Sequence, residues 1–520
     1  MVLYRVRSLL LFTVFLLGFG NGAAVFAAVS QGFIDSTDAA IEILRKRDCS
    51  IVVTMDGQPY ASKQVAITQV KSDFGFGGSI LRASFGEDSA RYAEVFQRYF
   101  EWATPENDMK WTETDAMDDY TDFRAADWLV EWCQSHSIKI RGHNLFWNEH
   151  TDWLPSWTLE LDQAGFRAAM RRRIDSAMTH FNGKVAHWDI INEIIHGRGN
   201  TTPDTTMLDS ATGDPDIFKW ILEEARKIDT TAKFVINEYA VVEYFSHHAI
   251  FIQKMYNLLE TGAPVDIVGL EGHFGDVVDK NNIQEKLDVI YEYLKRPMWL
   301  TEVDFSVDTL ERADRMEELM RTCFAHPHVG GIILWIWWEG RRWRPQLTSF
   351  LVDSSFTENE LGARWREIRE KWRTCTTGTT DASGLASFRG FHGEYVIKTM
   401  AGEKVYLDTI YLEPGEGAKA VSVNLHEEGT PRAEVAYPNS SDKMIPIMKS
   451  GNIILCRFAG ASRNPVVFST YSLSGRLLTR VQVPVRNGIV KLPDAPAGCQ
   501  VFRIETAGKI LYTGMNVCVR

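Results

Sequence analysis

Between residues 76 and 372 short apolar runs alternate with longer stretches in which apolar residues return every three or four positions. The short runs read as buried strands: Phe76–Ile80, Tyr99–Thr104, Ile138–His143, Val185–Ile191, Lys233–Glu238, Asp266–Glu271, Met298–Val303 and Gly331–Trp337. Between them, Gln163–Phe181, Asp216–Ile228, Phe245–Glu260 and Asn282–Leu294 carry the i, i+3, i+4 spacing of amphipathic helices. Eight such units in roughly 300 residues predict an α/β chain built on a (β/α)8 barrel. An open doubly wound sheet is the alternative, but no Gly-rich loop follows the first strand.

The polar positions sharpen the expectation. Nearly every run ends in groups a buried strand would not hold: Glu106-Asn107, His143-Asn144, Asn192-Glu193, Asn237-Glu238, Glu271 with His273, Glu302 with Asp304, and Trp338-Glu339. Any one of these could be a helix cap or a loop hydrogen-bonder. In a barrel, however, all of them converge on one face, where sites of this fold sit. Glu193 and Glu302 stand out. Two carboxylates facing each other across a cleft supply what cleavage of a glycosidic bond requires, a proton donor and a nucleophile or charge stabiliser.

The flanks read differently. Within residues 28–75, Ile51-Val-Val-Thr-Met55, the turn Asp56-Gly57-Gln-Pro59 and Gln64-Val-Ala-Ile-Thr68 predict a hairpin. Residues 373–417 open with a Thr- and Gly-rich connection and then alternate in strand fashion, forming an accessory β-segment. Residues 418–445 are polar and read as a linker, and 446–520 return to short strands with turn signals, predicting a small β-sandwich-like module.

Composition and charge narrow the partners. The net charge of −12 argues against nonspecific nucleic-acid binding and against an anionic membrane surface. Residues 1–27 have the form of a secretory signal: Arg5 and Arg7, the apolar stretch Leu9–Phe19, then Val25-Phe-Ala27. That stretch is shorter than the roughly 20 residues a bilayer needs, so export to the medium or cell surface is favoured over an uncleaved anchor. No later segment is long and apolar enough to span a membrane. The seven cysteines form no C-x-x-C or Cys/His cluster, so neither a metal nor a cofactor is expected. Export leaves room for one disulfide among the late cysteines, with Cys499–Cys518 the favoured pair, and the odd count leaves a thiol free. Most of the sixteen tryptophans fit packing roles, while the remainder suit stacking on the C–H faces of sugars.

Seven motifs, in order and each at a candidate strand end, resemble glycoside hydrolase family 10, the retaining endo-β-1,4-xylanases. They are Pro105-Glu-Asn107-Asp-Met-Lys110-Trp111, Arg141-Gly-His143-Asn-Leu-Phe-Trp147, Trp188-Asp-Ile-Ile-Asn192-Glu193, Ile236-Asn-Glu238-Tyr239, Gly269-Leu-Glu271-Gly-His273, Leu300-Thr-Glu302-Val-Asp304 and Trp335-Ile-Trp337-Trp-Glu-Gly-Arg-Arg-Trp343-Arg-Pro345. The resemblance implies that Glu193 is the acid/base, with a raised pKa, and Glu302 the ionised nucleophile, about 5–5.5 Å away. It implies that Asn192 donates to the sugar 2-hydroxyl and that His273 holds the nucleophile. His143 and Trp147 would bind the −1 sugar, Asn107 and Lys110 the −2 sugar, and Trp335 and Trp343 would wall the cleft.

The chain departs from the family pattern in three places. Glu271 replaces the usual Gln, and it could tune the pair, touch substrate or bond to structure. Asn148 replaces a second histidine, and Trp338 to Trp343 resembles a branch known from plants and some bacteria. The segments flanking the barrel look like accessory β-segments of that branch. The last 75 residues resemble C-terminal sorting modules of secreted bacterial polysaccharide-degrading proteins, which would bring the secretion machinery in as a partner. A plain structural β-module or a carbohydrate-binding module are the alternatives. The expectation is therefore an exported enzyme that cuts inside xylan or arabinoxylan chains. A cellulose- or mixed-linkage-glucan hydrolase, or a non-catalytic glycan binder on the same scaffold, are the competing readings.

Overall fold

The computed structural model describes residues 28–86, 89–149, 151–196 and 206–428, and beyond 443 the backbone of strands between Met444 and Cys518. The expected leader, 1–27, lies outside the described residues, as do the side chains of Cys456, Cys499 and Cys518.

The barrel strands are β1 (Gly75–Ile80), β2 (Trp102–Pro105), β3 (Lys139–Gly142), β4 (His187–Asn192), β5 (Lys233–Glu238), β6 (Ile267–Leu270), β7 (Met298–Val303) and β8 (Val329–Leu334). Each pairs in parallel with its neighbours, β8 pairs with β1, and a β3–β4 pairing completes the ring. The short strand Phe146–Trp147 adds to β4. Two expected boundaries move. Tyr99 ends the helix Ser89–Tyr99, so β2 begins at Trp102, because the apolar residues before it are that helix's buried face. The last strand starts at Val329 and stops at Leu334, which releases Trp335 and Trp337 into the loop above.

The outer helices are α1 (Ser89–Tyr99), α2 (Arg124–Ser135), α3 (Gln163–Phe181), α4 (Ile217–Ile228), α5 (Phe245–Glu260), α6 (Lys280–Leu294), α7 (Arg312–Ala325) and α8 (Glu360–Lys371). Helix α3 lays Phe166, Met170, Ile174 and Met178 on the strands, at the spacing read from sequence. Its first turn is closed by Asp162, whose carboxylate accepts from Gly165 N at 2.8 Å. Inside the ring, Trp102, Val235, Ile267, Trp299 and Ile333 pack together. Glycines make room for Trp299: a Cβ at Gly75 or Gly331 would lie 2.1 or 2.4 Å from its ring.

The flanks do not fold as expected. The Asp56-Gly57 turn exists, with φ of 50° and 75°, but it joins Lys46–Met55 only to the two-residue strand Gln58–Pro59. Pro59 has no N–H to extend that ladder, so no hairpin with Gln64–Ser72 forms. Gln64–Ser72 instead pairs with Cys375–Thr379 and Gly393–Ala401, from beyond the barrel. Lys46–Met55 lies between Leu385–Phe391, antiparallel, and Lys419–Glu427, parallel. One mixed sheet is thus woven from both flanks, with Ile51, Val53, Ile67, Tyr395, Ile397, Val423 and Leu425 as its core. The expected linker at 418–445 is corrected accordingly. Lys419–Glu427 is a strand, and the alternation of Val421, Val423 and Leu425 with polar neighbours is its signal. A helix, Gln31–Leu44, precedes the sheet and buries Thr37 and Ile41. The C-terminal strands form antiparallel sheets of three and four.

Candidate active site

The ends of β4, β5, β6 and β7 bring the polar side chains together. Asn192 closes β4, and Glu193 follows it with φ of +60°, left-handed backbone that side chains other than glycine rarely adopt. Its amide donates to Asn237 O at 2.7 Å, which fixes this bend against β5. All the residues singled out in the sequence, Asn107, Lys110, His143, Trp147, Asn192, Glu193, Glu271, His273, Glu302, Trp335 and Trp343, line one cleft of about 780 Å³. Glu149, Trp153, His196, Tyr239, Tyr244 and His247 share it.

Glu193 and Glu302 are both buried, at 5% and 4% exposure, yet their surroundings push them in opposite directions. Burial, with the nearby carboxylates of Glu149 and Glu238 adding to it, raises the Glu193 pKa well above the usual carboxylate range. Its Oε1 accepts from Asn192 Nδ2 at 3.2 Å, while Oε2 has no protein partner. Burial also pushes Glu302 up, but His143, His273 and Arg141 outweigh it and hold Glu302 below the ordinary value. His143 Nδ1 is 3.8 Å from Glu302 Oε1, His273 Nε2 is 3.6 Å from Oε2, and Asn237 Nδ2 donates to Oε1 at 2.8 Å. One cleft therefore holds one carboxyl biased toward its protonated form and one biased toward its anion, a pair suited to protonate a leaving group and attack or stabilise the carbon it leaves.

A layer of partners beneath the cleft orients these groups. Asp189, buried in β4, pairs with Arg141 and takes His143 Nδ1 at 2.8 Å. Asp304 Oδ1 lies 3.1 Å from His273 Nδ1, and Trp343 Nε1 donates to Asp304 Oδ2 at 2.8 Å. Burial opposes a charge on His273, but Asp304, Glu271 and Glu302 raise its pKa well above the usual value. Sequence reasoning gave no role to Asp189, Asn237 or Thr301. The signal for Asp189 was available, since a carboxylate between Trp188 and Ile190 inside an apolar strand needs a partner. Among the described residues, Glu271, His273 and Glu302 are a group with ligand atoms close enough for a metal ion, all within 4.8 Å.

The walls are aromatic. Trp147 and Trp153 stack with centroids 4.3 Å apart, and Lys110 Nζ sits 4.4 Å over Trp147 while donating to Asn107 Oδ1 at 2.9 Å. Trp335 meets His143 edge-on, and Trp343, 44% exposed, stands over His273. Tyr239 stacks on His196 at 3.8 Å and donates to Glu149 at 3.2 Å.

The model of Glycosyl hydrolase family 10 matches residues 66–364. The chain belongs to this family. Among curated relatives it is 36% identical over 388 residues to anti-sigma-I factor RsgI6 of Acetivibrio thermocellus, covering 74% of this chain and 49% of that protein. It is 29% identical over 409 residues to endo-1,4-beta-xylanase 2 of Arabidopsis thaliana, covering 78% and 37%. The chain thus spans about half or less of the length of these relatives. Among solved structures, xylanase 10B of Thermotoga petrophila in complex with xylobiose matches with a TM-score of 0.53 at 22% identity, over 57% of this chain and 94% of that one. At that identity the likeness bears on the barrel fold alone. The family's variant position at Asn148 has a structural task here. Fully buried, it donates to Glu193 O and Ile194 O, both at 3.3 Å, and accepts from Leu208 N at 3.0 Å. It pins the backbone that follows Glu193.

Proposed function

We propose that this chain is an exported retaining endo-1,4-β-xylanase that cuts internal β-1,4-xylosidic bonds of xylan or arabinoxylan by double displacement. The observation that carries the reading is the opposed protonation of Glu193 and Glu302 within one aromatic-walled cleft. In the first step Glu302 attacks the anomeric carbon while Glu193 gives its proton to the departing oxygen. In the second, Glu193 takes a proton from water, which displaces Glu302. Asn192, beside Glu193, faces the sugar 2-hydroxyl. His143, Trp147, Asn107 and Lys110 hold the sugars on the non-reducing side, and Trp335 and Trp343 crowd out the hydroxymethyl group that distinguishes glucose from xylose.

Export rests on the leader-like residues 1–27, and the C-terminal strands supply a candidate sorting module for the secretion machinery. The competing reading is a non-catalytic glycan binder on the same scaffold. A binder has no need of the carboxylate pair, and both members are present here.

Turnover of an aryl xylobioside decides between the readings. Glu302→Ala and Glu193→Ala are each expected to abolish it, with azide restoring turnover by Glu193→Ala through a β-glycosyl azide product. Wild-type rates in Glu302→Ala would remove the nucleophile assignment. Comparing xylan, arabinoxylan and carboxymethyl-cellulose as substrates tests the sugar preference.

A further inference from the structure

Below the cleft floor, Asn237 Nδ2 faces three oxygens at hydrogen-bond distance: Glu271 Oε1 at 2.7 Å, Glu302 Oε1 at 2.8 Å and Asn192 Oδ1 at 2.8 Å. The amide cannot be turned over. Its own oxygen accepts from Thr301 Oγ1 at 2.5 Å and from Arg141 Nη2 at 3.3 Å, and the guanidinium can only donate there. Asn192 is oriented in turn by its Nδ2, which points to Glu193 Oε1. An amide nitrogen carries two hydrogens, so three acceptors crowd two donors. The four residues are 0–4% exposed, which leaves bulk water little part in resolving the shortfall.

The charges around the cluster compound the problem. His273 Nε2 stands 3.5 Å from Glu271 Oε2 and 3.6 Å from Glu302 Oε2, so one imidazole serves two carboxylates while its other nitrogen faces Asp304. Arg141 is committed to Asp189, Lys110 to Asn107, and Glu238 carries its own pairing with His196 at 2.6 Å. His143 reaches Glu302. Two buried carboxylates that meet at one nitrogen cannot both ionise without a large penalty, and a pair so placed holds one proton between them. The neighbours settle on which side the charge rests. Glu302 has His143 Nδ1 at 3.8 Å as well as a share of His273, so the negative charge belongs to Glu302 and the proton to Glu271.

We propose that Glu271 is a neutral carboxylic acid in the resting enzyme and a positioning residue for the nucleophile, and that it releases its proton when Glu302 becomes esterified. The inference rests on the retaining reading above. When a Glu302 oxygen bonds the anomeric carbon, the glycosidic C–O bond breaks and its electrons leave with the departing oxygen. The carboxylate's charge is consumed in the ester. The repulsion that kept Glu271 protonated then vanishes, its O–H ionises, and the proton passes to solvent. Hydrolysis of the ester returns the charge to Glu302, and Glu271 takes a proton back. Burial and the Glu302 charge raise the Glu271 pKa while His273 lowers it, so esterification removes one raising influence and leaves His273 to favour the Glu271 anion.

Infrared difference spectroscopy tests it in a Glu193→Gln background, where the acid/base carboxyl is silent and an activated dinitrophenyl 2-fluoro-xylobioside can still label Glu302. At neutral pH a carboxylic-acid carbonyl band that shifts in deuterium oxide is expected, absent from Glu193→Gln/Glu271→Gln. Labelling should remove that band and leave a deuterium-insensitive ester band. No band in the difference between Glu193→Gln and Glu193→Gln/Glu271→Gln, or a difference band that persists after labelling, overturns the inference. Failure of the reagent to label Glu302 at all instead overturns the retaining reading. The carbonyl signature separates a protonated Glu271 from one that merely packs, since a structural carboxylate gives none.

Discussion

Glu193 meets two costs at once, a left-handed backbone and a buried carboxyl with an unpartnered oxygen. Strain of the first kind is of order 1–3 kcal/mol, and it turns the side chain out of β4 into the cleft. The second has a pH signature. Because folding raises the Glu193 pKa, the native chain retains a proton that the unfolded chain has released. The stability linked to that proton is complete below the ordinary glutamate pKa and is lost as pH rises through the folded value. Glu193→Gln is therefore expected to melt higher than the wild type at neutral and alkaline pH, by ~1.4 kcal/mol for each unit of raised pKa. The advantage should disappear in acid. A Tm difference that stays constant across a pH series would contradict the burial of a protonated Glu193. The site's reacting groups were legible in the sequence because a carboxylate, amide or imidazole at the end of an apolar run is conspicuous. Asn237 was seen as a strand-end amide, but its role, like that of Thr301, was not. Their importance lies in which atoms they face, Asn237 serving Glu271, Glu302 and Asn192 from a single nitrogen, and no spacing along the chain encodes that.

At the scale of the elements, β1 and β8 are joined where Gly75 opposes Gly331, and the ring of Trp299 fills the space their missing side chains leave. Gly331→Ala would drive a methyl group into a rigid indole inside a closed ring of strands. A loss of about 1–3 kcal/mol is expected, measured as a lowered urea midpoint with unchanged slope. A paired Trp299→Leu change should recover part of it, and a neutral Gly331→Ala would mean that the ring is not held in this position. The strands and helices of the barrel were readable because each is a repeat of one pattern, an apolar run followed by an amphipathic stretch. The accessory strands were less so. Gln64–Ser72 and Lys46–Met55 have good strand patterns, but their partners lie beyond the barrel, and local turn chemistry at Asp56-Gly57 pointed to the wrong neighbour. Lys419–Glu427 escaped notice because its outward face is polar.

Across the whole molecule, Arg45 is the rivet between the accessory sheet and the barrel. It donates to Phe324 O and His326 O, each at 2.7 Å, and to Val329 O at 2.8 Å, just where α7 hands over to β8. Its guanidinium also lies over Phe74 and Phe324. Removing it leaves backbone carbonyls without a donor, so Arg45→Ala should cost about 3 kcal/mol and separate melting of the accessory sheet from that of the barrel. A single cooperative calorimetric transition at the wild-type temperature would rule this out.

The woven sheet also bears on how the chain comes to be folded. Ser50 bonds across to Ser387, 337 positions later, so the strand Lys46–Met55 emerges early and has no flanking partner until nearly the whole barrel has been made. During that wait its edges are open to any other extended segment, including those of sibling chains. Assembly therefore closes on a strand made before the barrel, and crowding of unfinished chains is the hazard this topology must survive.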